Sequence, residues 1–375
     1  MFTPKKDAVT FSLSELKRMK DEELVSQKTL SALREKADSL LKKPLYTVTQ
    51  RKLRAPSGDP HDYASMGPYW WPNPDTKDGL PFVRRDGYFN PMGKDENTFE
   101  NMCSQVKYCS LAAFYFDEDK YTERAVKALY TWFIAPETYM TPNARYGQAI
   151  PGICDGRGIG LIDFRMSYEV MDSVRLLEAM GKIPEEYVTA IEKWFISFTD
   201  WMLTSECGIE EDTQHNNHGT WYDVQVLAAS VFTGRRFLTK KIATTAYQRR
   251  VLSQAEKNGA QPFELERTQG LSYSLMNHFA YIMLGIISEK AGFNRFWQID
   301  AEAGDSLLKL CADYLYPYVK DPASFPFQQI NKANNLHFLA FAYYILAEHF
   351  PDSHCKERLK ELASPEMLFL LTPAK

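Results

Sequence analysis

The stretch HNNHGTWYDVQVLAASVF, residues 215–232, changes character halfway along. Its first half, His215 to Asp223, crowds two histidines, two asparagines, a glycine, two aromatics and an acid. Asn-Asn is poor helix material, because its side chains compete for backbone hydrogen bonds. The second half, VQVLAASVF, is good apolar helix. A cluster of titratable and hydrogen-bonding groups therefore sits at the mouth of a buried helix.

The helical habit continues on both sides. Ile159, Ile162, Met166, Val170, Val174 and Leu177 form one stripe, which predicts a helix over 159–180. Gly181 stops it, and Pro184 can start the next. Leu271, Leu275, Phe279, Met283 and Ile286 form a second stripe; Leu336, Leu339, Tyr343 and Leu346 form a third. Residues 12–41 open on Ser12 with Glu15 three positions later, a capping-box pattern. Strand-like alternation is nearly absent, and about ten to twelve helices are expected from the periodicity. Two stretches break it: 45–98, rich in Pro, Gly, Asp and Tyr, and the shorter 136–158. Long ordered loops in a compact domain are usually functional. The pattern fits an all-α fold, a ring of antiparallel helix pairs with long loops over one end. It is expected to form one domain over 1–375, with 1–44 an N-terminal helical segment and 45–98 lining a cleft.

Net charge is −4, with no basic footprint for nucleic acid. A local basic cleft for an anionic substrate remains compatible with it. The aromatic content, 14%, fits buried rings or a carbohydrate cleft. Six cysteines show no CxxC pair and no zinc-ligand spacing, so free buried thiols are expected and no metal or cofactor is called for. No apolar stretch reads as a membrane span. The start, MFTPKKDAVTFS, has no hydrophobic signal region. Either the protein is cytoplasmic or the chain begins after a removed signal. Oligomeric state is not readable.

Four stretches concentrate groups that a core does not need: 61–91, 146–163, 215–223 and 264–278. His218 can take or give a proton near neutral pH; its bland alternative is a helix-start histidine bonded to backbone. Asn217 is either a helix cap or a neutral donor to a carboxylate. His215 reads as peripheral. Arg267 can grip a carboxylate with its fork, unless Glu264 or Glu266 holds it as a salt bridge. Tyr273 follows six residues later, beside Ser272. Trp70 and Trp71, in PYWWPNP, form either a sugar platform or a plug for the ring. Gln148 and Arg157 lie in a Gly-rich loop; DGRGIG lacks the strand and Lys-Ser/Thr of a phosphate loop. Arg84 and Arg85 face either an acidic substrate or solvent.

HDYASMGPYWWPNP, DGLPFVRRDG, GQAIPGICDGRGIGLID, NNHGTWYDVQ and ERTQGLSYS together resemble the alginate lyase superfamily of polysaccharide lyases, over roughly residues 45–350. The resemblance implies an (α/α) toroid and β-elimination on a uronate polymer without a required metal. It makes Asn217 and Arg267 neutralisers of the uronate carboxylate, and His218 and Tyr273 the proton-handling groups. Tyr69, Trp70, Trp71, Gln148, Arg157, Trp221 and His61 would then line the subsites. It also favours the periplasm or the cell exterior, the cytoplasm remaining the alternative. Alginate containing mannuronate, or glucuronan, is the expected polymer. Two rivals stand beside this. A glycoside hydrolase would need a carboxylate pair, for which Asp155, Asp163, Asp223, Glu264 and Glu266 are candidates. A non-catalytic carbohydrate-binding protein would keep only the aromatic loop.

Overall fold

The computed structural model describes residues 2–374. Among them are fourteen α-helices and four short strands. The stretch 12–41 is two helices, not one: α1 (Leu13–Asp21) and α2 (Gln27–Leu41). Ser12 accepts the Glu15 N–H at 3.4 Å, which delivers half of the expected capping box. Ser26 starts α2 afresh by accepting the Thr29 N–H. The long loop carries β1 (Ala64–Met66), β2 (Trp70–Trp71) and β3 (Val83–Arg84). After it come α3 (Phe99–Phe116), α4 (Asp119–Phe133) and β4 (Tyr146–Ala149). The chain continues with α5 (Ser167–Ala179), α6 (Glu185–Thr204), α7 (Glu206–Asp212), α8 (Asn217–Phe232) and α9 (Arg236–Ala246). The last helices are α10 (Pro262–Leu265), α11 (Gly270–Lys290), α12 (Leu307–Lys320), α13 (His337–His349) and α14 (Cys355–Leu362).

Helices α3, α5, α8, α11 and α13 pack in that order as an inner row, and α4, α6, α9, α12 and α14 back them from outside. The sequence explains the division. Nearly every residue of α5, α8 and α11 is buried, polar ones included, whereas α4 and α12 bury one stripe. The C-terminal segment bridges the seam between the two ends of the row. Tyr115 donates to the Leu371 carbonyl at 2.5 Å, and Tyr344 to that of Thr372 at 3.0 Å. The result is the expected helical toroid, with a cavity of about 400 Å³ in its hollow.

One sequence expectation fails here for a stated reason. The stripe from Ile159 is not one helix: Gly158–Phe164 is a 3₁₀ segment, and α5 begins at Ser167. A 3₁₀ turn followed by an α-helix can carry a similar apolar spacing. Gly181 does end the element, with φ at 66°. Helix α11 bears on another reading: its 21 residues are long and apolar enough to cross a membrane on composition alone. It is instead the buried inner helix of the ring, 89% of its most apolar window being buried.

Because each inner helix is followed in the chain by the outer helix packed against it, all five inner helices start at the same end. The long loops feed those starts, so they gather there. β1 pairs in parallel with β4, and β2 pairs antiparallel with β3, Trp70 opposite Arg84. A third loop, 321–336, joins them: the Ile330 N–H reaches the Thr268 carbonyl at 2.9 Å, and Asn331 donates to the Gly87 carbonyl at 2.6 Å. All six cysteines are free thiols. Among the described residues, no cluster of His, Cys, Asp or Glu has the arrangement to hold a metal ion.

Candidate active site

The start of α8 explains the double asparagine. Asn216, not Asn217, is the cap: its side chain accepts the His218 N–H at 3.0 Å. That places Asn217 one step inside, buried, with its side-chain nitrogen on Glu264 Oε1 at 2.7 Å. The Asn217 backbone N–H reaches the same oxygen at 2.5 Å. The other oxygen of Glu264 accepts from Arg267 Nη1 at 2.9 Å. Glu264 is fully buried. Burial pushes its carboxyl above the usual range, and Arg267 and then the Asn217 bonds pull it back. The salt bridge weighed for Arg267 is therefore real. It occupies one nitrogen of the fork and ties Arg267 to Asn217 through a shared carboxylate.

Tyr273 sits in the first turn of α11, half-buried, with the Arg267 guanidinium 3.7 Å from its ring centre. Its hydroxyl meets that of Tyr69, 204 residues earlier in the chain. Gln269 Nε2 donates to the Tyr69 oxygen at 3.0 Å. Burial pushes the Tyr69 hydroxyl well above the usual tyrosine range. His218 lies on the same helix start as Asn217, with 14% of its side chain exposed and Nδ1 2.9 Å from Glu211 Oε1. Asn217, Arg267, Tyr273 and Tyr69 thus form one linked group, and His218 adjoins it through Asn217.

The remaining sequence candidates divide. Trp70 and Trp71 are half-exposed. Trp71 donates to the Tyr88 carbonyl at 3.0 Å and lies under Arg85. Trp70 and the Arg157 guanidinium converge on Gly67, where an added Cβ would come within 2.7 and 2.9 Å of them. Gln148 is buried, in the left-handed region at φ 49°. Its carbonyl accepts Arg157 Nε at 2.9 Å and its side-chain oxygen accepts Arg157 Nη2 at 3.3 Å. Gln148 therefore holds Arg157 in place instead of presenting its own amide to a ligand. One candidate is corrected: Trp221 belongs to the hydrophobic core and packs on Phe279, so it lines no subsite. His61, part-exposed, stacks on Tyr139 and bonds the Tyr139 carbonyl at 2.6 Å, which ties the two loops together there. His215, read as peripheral, lies tilted against exposed Phe263, ring centres 6.1 Å apart.

The carboxylates offered for a hydrolase are mostly engaged. Asp223 is buried against Arg250 at 2.7 Å, and Asp163 accepts from Tyr63, Ser65 and Gln148. Glu264 is committed as described, and Asp155 and Glu266 are exposed. Against this geometry, a family model described as Alginate lyase matches residues 47–325.

The chain belongs to the alginate lyase family.

It is accordingly a polysaccharide lyase. An alginate lyase from Bacteroides ovatus is similar to it at 30% identity and a TM-score of 0.90, over 97% of this chain and 98% of that one. Alginate lyase A1-III from Sphingomonas species A1 shares the fold at 12% identity and a TM-score of 0.53, over 93% and 97%. A variant of A1-III complexed with tetrasaccharide shares it at 11% identity and a TM-score of 0.62, over 99% and 97%. No curated protein matches significantly in sequence. Within the lyase, sequence reasoning missed Glu211, Gln269 and the Tyr69–Tyr273 contact. The signal for Glu211 lay in GIEEDTQHNNH, where an acid stands seven residues before His218.

Proposed function

We propose that this lyase cleaves the 4-linked uronate chain of alginate, at mannuronate-containing stretches, by β-elimination. The observation that carries the proposal is the linkage of Asn217 and Arg267 through buried Glu264, beside the Tyr273 hydroxyl. Abstracting the proton at C5 pushes charge into the neighbouring carboxylate. Donors fixed where that charge grows lower the barrier, each by about 3 kcal/mol. Glu264 takes one N–H of Asn217's amide and one of Arg267's fork, and the others remain for the substrate carboxylate.

In mannuronate the C5 proton and the O4 leaving group lie on one face of the ring, so one group can serve both. Tyr273 fills that role. The Gln269 amide nitrogen donates to the Tyr69 oxygen, which leaves the Tyr69 O–H free to donate to Tyr273 once Tyr273 has given up its own proton. The Tyr273 oxygen, when it has given up its proton, thus has a donor already on it. It takes the proton from C5. The C5–H electron pair becomes the C4–C5 double bond, and the C4–O4 bond breaks. O4 then receives the proton from Tyr273. His218, together with Asn217 and Arg267, holds the carboxylate. Trp70, Trp71 and Arg157 supply stacking faces and a positive charge for neighbouring sugars. The tetrasaccharide complex of A1-III, on the same fold, is in keeping with a cleft that takes several sugars.

The test is ultraviolet absorbance over time on polymannuronate, polyguluronate, glucuronan and a neutral glucan. A rise with polymannuronate, exceeding those with the others, is expected. A rise confined to polyguluronate would transfer the base role to His218, across the ring from Tyr273. New reducing ends with no rise anywhere would overturn elimination.

A further inference from the structure

We propose that Glu211 is a positioning residue that makes Nε2 the working nitrogen of His218 and compensates its charge when it is protonated. The inference rests on the lyase reading for its catalytic meaning, but its geometry stands apart from it. Glu211 is fully buried, on the short helix α7. Glycines allow that helix to sit so close. A Cβ on Gly208 would lie 1.7 Å from the Met202 carbonyl oxygen, and one on Gly158 would lie 2.4 Å from that of Cys207.

The last three acids of α7 point in three directions. Glu210 accepts the Gly158 N–H at 2.6 Å, Asp212 takes Arg249 and Arg250, and Glu211 turns inward to His218. Among the described residues, the second oxygen of Glu211 has no hydrogen-bond partner although it is buried. Burial pushes this carboxyl up. His218 opposes that, while Glu210 and Asp163 add to it. A buried carboxylate with one bare oxygen is costly to folding, and the imidazole is the one partner it holds.

The consequence for His218 is chemical. With Glu211 ionised beside the imidazole, its oxygen only accepts, and Nδ1 carries the proton at that contact. Nε2 is then the nitrogen whose protonation can change, and the ring cannot flip without losing the bond. When Nε2 takes a proton, the carboxylate 2.9 Å from Nδ1 offsets the new charge.

Two readouts on the full chain test this. The first is NMR of isotope-labelled imidazole nitrogens. It should find Nδ1 of His218 protonated in the native protein and that preference lost in Glu211→Ala. The second is steady-state kinetics on polymannuronate. Turnover should fall roughly a hundredfold or more in Glu211→Ala, as expected when a catalytic imidazole loses its orienting carboxylate, with KM within about twofold. Should the alanine variant misfold, Glu211→Gln keeps the volume and an accepting oxygen. It should melt near the native temperature yet still lose most of its turnover, because it lacks the charge. Native His218 with a bare Nδ1, or full turnover in Glu211→Gln, would overturn the proposal. If the native protein eliminates no uronate polymer, the lyase reading falls, and the NMR measurement still decides the role of Glu211.

Discussion

At the scale of single residues, the site is a set of donors held by carboxylates that the substrate need not touch. Tyr273→Phe deletes one hydroxyl from a half-buried ring and keeps the Arg267 stacking. Turnover should drop by roughly a thousandfold or more, with circular dichroism and melting unchanged; near-normal turnover would remove Tyr273 from the chemistry. Asn217→Ala removes the side-chain donor to buried Glu264. It should cost about 1–3 kcal/mol of stability as well as rate, measured by denaturant unfolding beside kinetics; an unchanged unfolding midpoint would show that this bond contributes nothing. Asn217, His218 and Tyr273 are legible in the sequence because each is a polar group in the first turn of an apolar helix, and Arg267 because it stands in the turn just before one. Glu211 is not: its spacing from His218 becomes a contact only when the fold turns it, and not Glu210 or Asp212, inward.

At the scale of elements, legibility depended on how many faces a helix buries. Helices with one apolar stripe announce their orientation. In α8 and α11 nearly every position is buried, so periodicity carries no directional signal. Trp221, which the family resemblance places at a subsite, belongs instead to the core, and no periodic stripe in α8 could have told the two apart. The loop 321–336 is not legible because its pairing is long-range, through Gln329 to Gln269 and Ser272. The seat of α7 yields a prediction at this scale. Gly208→Ala should force the helix off Met202, costing roughly 1–3 kcal/mol, and displace Glu211 from His218. Melting and turnover should both fall. An alanine variant as stable and active as the native chain would show that α7 tolerates the shift.

At the scale of the whole molecule, the toroid buries polar groups on every inner helix, and stability should depend on pH accordingly. His278 donates to the Leu308 carbonyl from full burial, and burial lowers it to about 4. A histidine depressed in the fold contributes stability that is present above its unfolded value and lost as pH falls toward the folded one. That loss is on the order of 3 kcal/mol once pH reaches about 4. Asp172, raised by burial to about 6, works in the opposite sense. Its contribution is complete at low pH and lost as pH rises through 6. The two largely offset each other between pH 4 and 6. His278→Gln keeps a donor for Leu308 but removes the titration. The melting temperature of that variant, relative to native, should therefore rise as pH is lowered from about 7 to 5. A constant difference would mean that His278 binds protons equally in the folded and unfolded chain across that range. The ring itself was legible from helical stripes and two long loops. Its closing seam was not, because that rests on hydroxyl-to-carbonyl bonds from Tyr115 and Tyr344 to the distant C-terminal segment.

The central claim is that Asn217, Arg267, His218 and Tyr273 break the polymer by elimination, without water entering the product. Mass spectrometry of the fragments formed from polymannuronate in heavy-oxygen water tests it most directly. The account predicts fragments with an unsaturated end, each one water lighter than a hydrolysis product and free of solvent oxygen from the cleavage. Saturated fragments carrying one heavy oxygen per cut would contradict it and return the chemistry to the carboxylates.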